Sequence, residues 1–238
     1  MTSPNFCVTI LQNFILEETG GRPMIDRITQ LIRQSKPDAQ IDVCAAIQGD
    51  ALPDAESQDL IILTGGPFNL LKNETPQWVA DTLEYLRRVT EHRSKPKILG
   101  ICWGQQAVAL ALGGTLDRSD RGHCVGVEDI TLTPEGTTFF DATSLTIHKN
   151  HEIVVTDVGP HLSPLAFNNE VLMSKDGQVL TFQGHPEMDS TLSRLFVASD
   201  NPAAVGAGLN SNLRPINSPH DGEMIFERII EWASHGMS

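Results

Sequence analysis

Lys97-Ile-Leu-Gly-Ile-Cys-Trp-Gly-Gln-Gln106 decides how this chain is read. A short apolar run leads to a cysteine flanked two residues away on each side by Gly100 and Gly104, and a helical pattern then runs to Leu112 and stops at Gly113-Gly114. An apolar run without polar alternation fits a strand buried on both faces. A strand that passes so abruptly into a helix needs glycines beside the turn, where Cβ atoms would hold the two elements apart. The pattern is that of a nucleophile elbow. It lifts Cys102 above the carboxyl edge of a sheet, beside a helix N-terminus whose partial positive charge favours thiolate. Taken alone, the segment can also be read as a buried structural cysteine.

The neighbouring sequence alternates in the same way. Residues 6–11, 41–45 and 59–64 read as strands, the last running into Gly65-Gly66-Pro67. A helix starts at Pro23 with Met24, Ile25, Ile28, Leu31 and Ile32 on one face. A second is signalled by Thr75-Pro76, with Val79, Leu83 and Leu86 at helical spacing and Glu84 four residues before Arg88. This order predicts a largely parallel sheet. Beyond it, residues 125–133, 144–148, 152–155, 171–174 and 179–182 read as strands of a mixed or antiparallel extension. Residues 192–198 and 221–233 read as helices, with a loop over 201–219. Nothing in the composition marks a boundary, so residues 1–238 are expected to form one α/β domain.

A catalytic thiolate needs a base and a group to orient that base. Phe182-Gln-Gly-His-Pro-Glu187 supplies both: in extended backbone His185 and Glu187 point to one side, so one imidazole nitrogen can bind the carboxylate while the other faces Cys102. The alternative is a surface histidine beside a glutamate. Donors for an oxyanion are available from the Trp103 N–H and from the Gly65-Gly66-Pro67 turn, with Gly66 the candidate N–H there.

Composition narrows the partners. With 17 basic against 30 acidic residues the net charge is −13, and no window is rich in Lys or Arg, so neither nucleic acid nor an anionic membrane surface is expected. No basic leader and no apolar run of about 20 residues is seen, and the reading is soluble and cytoplasmic. Cys7, Cys44, Cys102 and Cys124 contain no CxxC pair. His123, Cys124, His148 and His151 lack structural-zinc spacing, so no metal is expected. There is also no Walker A loop and no dinucleotide fingerprint, so no cofactor is expected.

Thr64-Gly-Gly-Pro67, Gly100-Ile-Cys-Trp-Gly-Gln-Gln106 with Ala-Leu-Gly-Gly114, and Gln183-Gly-His-Pro-Glu187 together resemble the class I glutamine amidotransferases in order and approximate spacing. Gln105 stands where that family's elbow usually has His, a change expected to alter the pocket wall. The His148-Lys-Asn-His-Glu152 segment and the Gln-Gly-His-Pro-Glu form resemble the free-standing branch of γ-glutamyl peptidases and homologues of the GMP synthase glutaminase domain. The resemblance implies a flavodoxin-like three-layer sandwich with a mostly parallel central sheet and a smaller antiparallel extension. It also implies a Cys102–His185–Glu187 triad, with Gly65, Pro67, Gln106 and His151 as substrate-binding positions. The substrate it implies is a small γ-glutamyl amide, attacked by Cys102 to give a glutamyl-thioester. Two alternatives are a glutaminase subunit that passes ammonia to a separate synthetase partner, and a binding or regulatory protein on the same scaffold.

Overall fold

Apolar, β-branched runs have nowhere to bury both faces except inside a sheet covered on each side, and this is where they lie. The computed structural model describes residues 6–16, 21–91, 96–200 and 213–234. In chain order its elements are β1 (Cys7–Leu11), α1 (Gly21–Ser35), β2 (Gln40–Cys44), β3 (Leu60–Leu63), α2 (Gln77–Glu91), β4 (Lys97–Ile101), α3 (Trp103–Ala111), β5 (Thr115–Arg118) and β6 (Cys124–Thr131). There follow α4 (Pro134–Phe140), β7 (Ser144–His151), β8 (Ile153–Asp157), β9 (Leu162–Pro164), β10 (Val171–Ser174), β11 (Val179–Phe182), α5 (Ser190–Asp200) and α6 (Gly222–Ser234).

The central sheet runs β2-β1-β3-β4-β11-β10-β9. Its first five strands are parallel, and β10 and β9 complete it antiparallel. Period-two alternation divides the side chains between two layers. Leu60 and Ile62 join Ile28, Ile32, Ile225 and Ile229 under α1 and α6, whereas Ile61 and Leu63 join Val79, Leu86 and Val108 under α2 and α3. The result is the expected three-layer sandwich. The antiparallel extension consists of the β6–β7 hairpin and the β5–β8 pair.

Three elements were not foreseen. The helix α4 is built on Thr133-Pro-Glu, where Thr133 Oγ1 accepts the Gly136 N–H at 3.2 Å and Pro134 starts the helix. The strands β5 and β9 are short, and both are largely outside the core. In α2 the buried face is Val79, Thr82, Tyr85, Leu86 and Val89, with Leu83 only half-buried. Glu84 meets Arg87 at 3.3 Å, one residue short of the expected partner. Of the loop expected over 201–219, residues 201–212 lie outside the described residues, and Arg214 pairs with Val127.

Candidate active site

The parallel register brings three strand ends together. β3 and β11 flank β4, with Leu63 opposite Gly100 and Phe182 opposite Ile101, so Gly65-Gly66-Pro67, Cys102 and the segment after Phe182 leave the sheet side by side at its carboxyl edge. Cys102 is held there by its N–H, which donates to Phe182 O at 2.7 Å. Its backbone has φ 49° and ψ −100°, a conformation that residues with a Cβ rarely adopt. The glycines on either side are required by contact. A Cβ on Gly104 would lie 2.5 Å from Leu63 O, and one on Gly100 would lie 2.7 Å from Gly104 O. Strand, turn and helix therefore touch backbone to backbone, and this packing maintains the strained angle at Cys102.

His185 and Glu187 meet by a different route from the one expected. β11 ends at Phe182, and beyond it His185 bridges to His148, its N–H donating to His148 O at 2.8 Å, and opens a turn through Pro186 and Glu187 in which its carbonyl accepts the Met188 N–H at 3.3 Å. The turn, rather than extended backbone, sets Nδ1 of His185 2.8 Å from Oε1 of Glu187. Both are buried, His185 4% and Glu187 1% exposed. Burial pushes the imidazolium down, but the Glu187 carboxylate, followed by the charge of Cys102, outweighs it and holds the His185 pKa well above the ordinary histidine value. The other ring nitrogen, Nε2, is buried with no oxygen or nitrogen partner among the described residues, while the Cys102 side chain interacts with the ring and helps to raise its pKa. Gly65 lies beside both Cys102 and His185: a Cβ there would stand 3.0 Å from His185 Cε1 and 3.8 Å from Cys102 Cβ. The Cys102 thiol is 7% exposed and faces Asn150 O at 3.8 Å.

The Gly65-Gly66-Pro67 turn is fixed from behind. A Cβ on Gly66 would lie 2.4 Å from Asn13 O. Asn13 in turn clamps Thr64, donating from its N–H to Thr64 Oγ1 at 3.1 Å and from Nδ2 to Thr64 O at 3.0 Å. Asn13 escaped the sequence reading, although polar residues directly after a doubly buried strand were a usable signal.

The remaining candidates divide. The Trp103 N–H opens α3, where no intrahelical acceptor exists. Its indole turns into the α2–α3 layer and stacks on Trp78, with centroids 5.3 Å apart. Gly66 is half-buried and Pro67 exposed, outside the buried cluster. Gln106 donates from Nε2 to Ile153 O at 3.0 Å, which ties α3 to β8. Gln105 is no pocket wall: its amide reaches Asn169 O at 3.0 Å and Thr181 Oγ1 at 3.2 Å, tethering the turn before β10. His151 is buried with neither ring nitrogen hydrogen-bonded; burial first, then Lys149, holds its pKa well below the ordinary value. Lys149 is itself fully buried against Glu170, with Glu128 at 3.8 Å. His123 pairs with Asn150 Oδ1 at 2.7 Å and His148 turns to His220, and no group of three or more His, Cys, Asp or Glu among the described residues is arranged to hold a metal. No helix among them is long and apolar enough to cross a membrane.

His148 makes the site's surroundings sensitive to acid. It is 0% exposed, neither ring nitrogen has a partner, and its ring meets His220 edge-on at 4.6 Å between centroids. Burial, then the charges of His220 and His185, lower its pKa to about 4. The unfolded chain takes up that proton near 6.5, so between the two values it binds more protons than the folded chain, and stability rises with pH across this window. Acidification from pH 6.5 to 4 is expected to remove about 3 kcal/mol through this residue. His148→Leu retains the volume and deletes two unpaired polar atoms, so the fall in urea midpoint between pH 7 and 4.5 should shrink markedly in the variant. An unchanged fall would assign the acid sensitivity to other groups.

Comparison with known proteins identifies the class. The family model for "Glutamine amidotransferase class-I" matches residues 26–201. The chain is 77% identical over 234 residues to Glutamine amidotransferase-like protein chry6 of Gibberella zeae, covering 98% of each. The chain belongs to the class-I glutamine amidotransferase family. It is also 25% identical over 146 residues to Gamma-glutamyl peptidase 2 of Arabidopsis thaliana, covering 58% of this chain and 57% of that one. In fold it resembles the crystal structure of a glutamine amidotransferase from Thermotoga maritima, with TM-score 0.72 and 15% identity over 98% of this chain and 100% of that one.

Proposed function

We propose that the protein cleaves or transfers at a γ-glutamyl amide through a glutamyl-thioester on Cys102. The observation that carries this reading is a strained elbow cysteine beside a buried imidazole whose Nδ1 lies 2.8 Å from a buried carboxylate. The raised His185 pKa keeps the proton on the imidazole, and the Cys102 thiolate bonds to the γ-carbonyl carbon. The carbonyl electrons move onto oxygen, met by the N–H groups of Gly66 and Trp103. As the C–N bond breaks, His185 gives that proton to the leaving amine. It then takes one from the incoming water or acceptor amine, and C–S cleavage releases the glutamyl product. Glu187 keeps the imidazole oriented and stabilises its charged form. Gly65, Pro67, Gln106 and His151 border the glutamyl group. The similarity to a γ-glutamyl peptidase supports this substrate class.

The test is a panel of γ-glutamyl peptides and conjugates, together with a diazo-ketone glutamine analogue, followed by peptide mass spectrometry. A glutamyl or analogue adduct is expected on Cys102, with glutamate released. Folded protein that acquires no adduct, or acquires it on another cysteine, overturns the reading.

A further inference from the structure

Beside the His185 imidazole, whose charged form Cys102 helps to favour, two groups of opposite hydrogen-bonding sense approach the Cys102 sulphur. Asn150 O, at 3.8 Å, can only accept and therefore suits the thiol S–H. The Gln183 carboxamide nitrogen, at 3.9 Å, can only donate and therefore suits the thiolate. Gln183 is 2% exposed, and among the described residues its Oε1 has no hydrogen-bond partner, as is also true of Gln12, Gln105 and Gln178. The other buried glutamines direct their amides to main-chain carbonyls: Gln12 to Phe14, Gln105 to Asn169, Gln106 to Ile153 and Gln178 to Pro96. Among the described residues, the Gln183 side-chain donor meets only sulphur. Its main chain is fixed independently, the N–H donating to Glu170 O at 2.8 Å, so the carboxamide is not what holds the strand end. What sets Gln183 apart is thus the acceptor of its amide, a sulphur where the other four meet oxygen.

We infer that Gln183 is a further catalytic residue, donating from its carboxamide to the Cys102 thiolate. The inference rests on Cys102 being the nucleophile. When sulphur attacks the acyl carbon its charge passes into the new C–S bond and the contact weakens. When water adds to the thioester, the C–S electron pair returns to sulphur and the donor meets it again. The group therefore favours the reactive form at the start and the departing thiolate at the end.

Alkylation by iodoacetamide, followed across pH on the full chain, reads this out without any substrate. For Gln183→Met, close in shape but lacking the donor, the rate profile should move toward alkaline pH by about one unit. Its rate should be about tenfold lower on the acid limb, with the alkaline plateau unchanged. A cooperatively folded variant whose profile superimposes on the wild type overturns the inference. Should Gln183→Met fail to fold, the wild type decides: the Gln183 side-chain amide resonances must shift with the same pH midpoint as alkylation, and resonances that do not move overturn the proposal. A shifted profile without a glutamyl adduct would count against the proposed function alone, since alkylation needs no γ-glutamyl group.

Discussion

Cys102→Ala is expected to abolish turnover of any γ-glutamyl amide that serves as substrate, a loss on the order of 10⁶-fold, as removal of a triad nucleophile produces. Cys44→Ser and Cys124→Ser leave most of the activity. The contrast follows from surroundings rather than residue type. Cys44 is pushed up by burial and by the nearby Asp50 charge, and its thiol already donates to Ala51 O at 3.3 Å. Cys124 is buried against Gly122 O at 3.7 Å. Among the described cysteines only Cys102 has a positive φ, and neither Cys44 nor Cys124 is beside the His185–Glu187 pair. The measurement is single-turnover acylation with circular dichroism as the check on folding. Comparable loss at Cys124 would sink the assignment.

His185→Ala should be nearly as severe, and Glu187→Gln less so. The imidazole moves the proton, and general acid–base catalysis typically contributes about 10²–10⁴-fold. Among the described residues the Glu187 carboxylate hydrogen-bonds only to the imidazole, so it is expected to act through it. The double variant His185→Ala with Glu187→Gln should be scarcely worse than His185→Ala alone, and losses that multiply would show that Glu187 works independently. A second readout follows from charge. Glu187 raises the His185 pKa, so the folded state favours imidazolium; the stability this contributes is present below the ordinary histidine value and lost as pH rises through the folded one. Glu187→Gln should therefore reduce stability most at neutral and acid pH, and the difference from wild type should narrow in alkali.

The parts that were legible in the sequence share a cause. Doubly buried strands leave uninterrupted apolar runs, and the elbow leaves Gly100 and Gly104 because a Cβ at either would fall 2.5–2.7 Å from a backbone oxygen. These are local constraints, so they are visible locally. What remained hidden depends on pairing across the chain. Asn13 matters because Thr64 and Gly66 pack on it, 51 residues from Thr64 in sequence. Gln183 gains its meaning only when β11 lies beside β4, and β9, three residues ending in Pro164, is a strand only because β10 provides a partner. The His185–Glu187 pair was anticipated, yet its geometry comes from a turn tied to His148, a contact no spacing rule encodes.

The nucleophile and its base stand on the central sheet, whereas the strand that faces them, from His148 to His151, belongs to the separate β6–β7 ladder. Cys102 and His185 and the strand facing them thus rest on two separate sheets, joined at the site by the His148–His185 bridge. For an engineer this is a modular joint: a library confined to Arg121–His123 and Asn150–Glu152 varies the wall a leaving group meets, while every backbone contact that strains Cys102 stays outside the randomised segment.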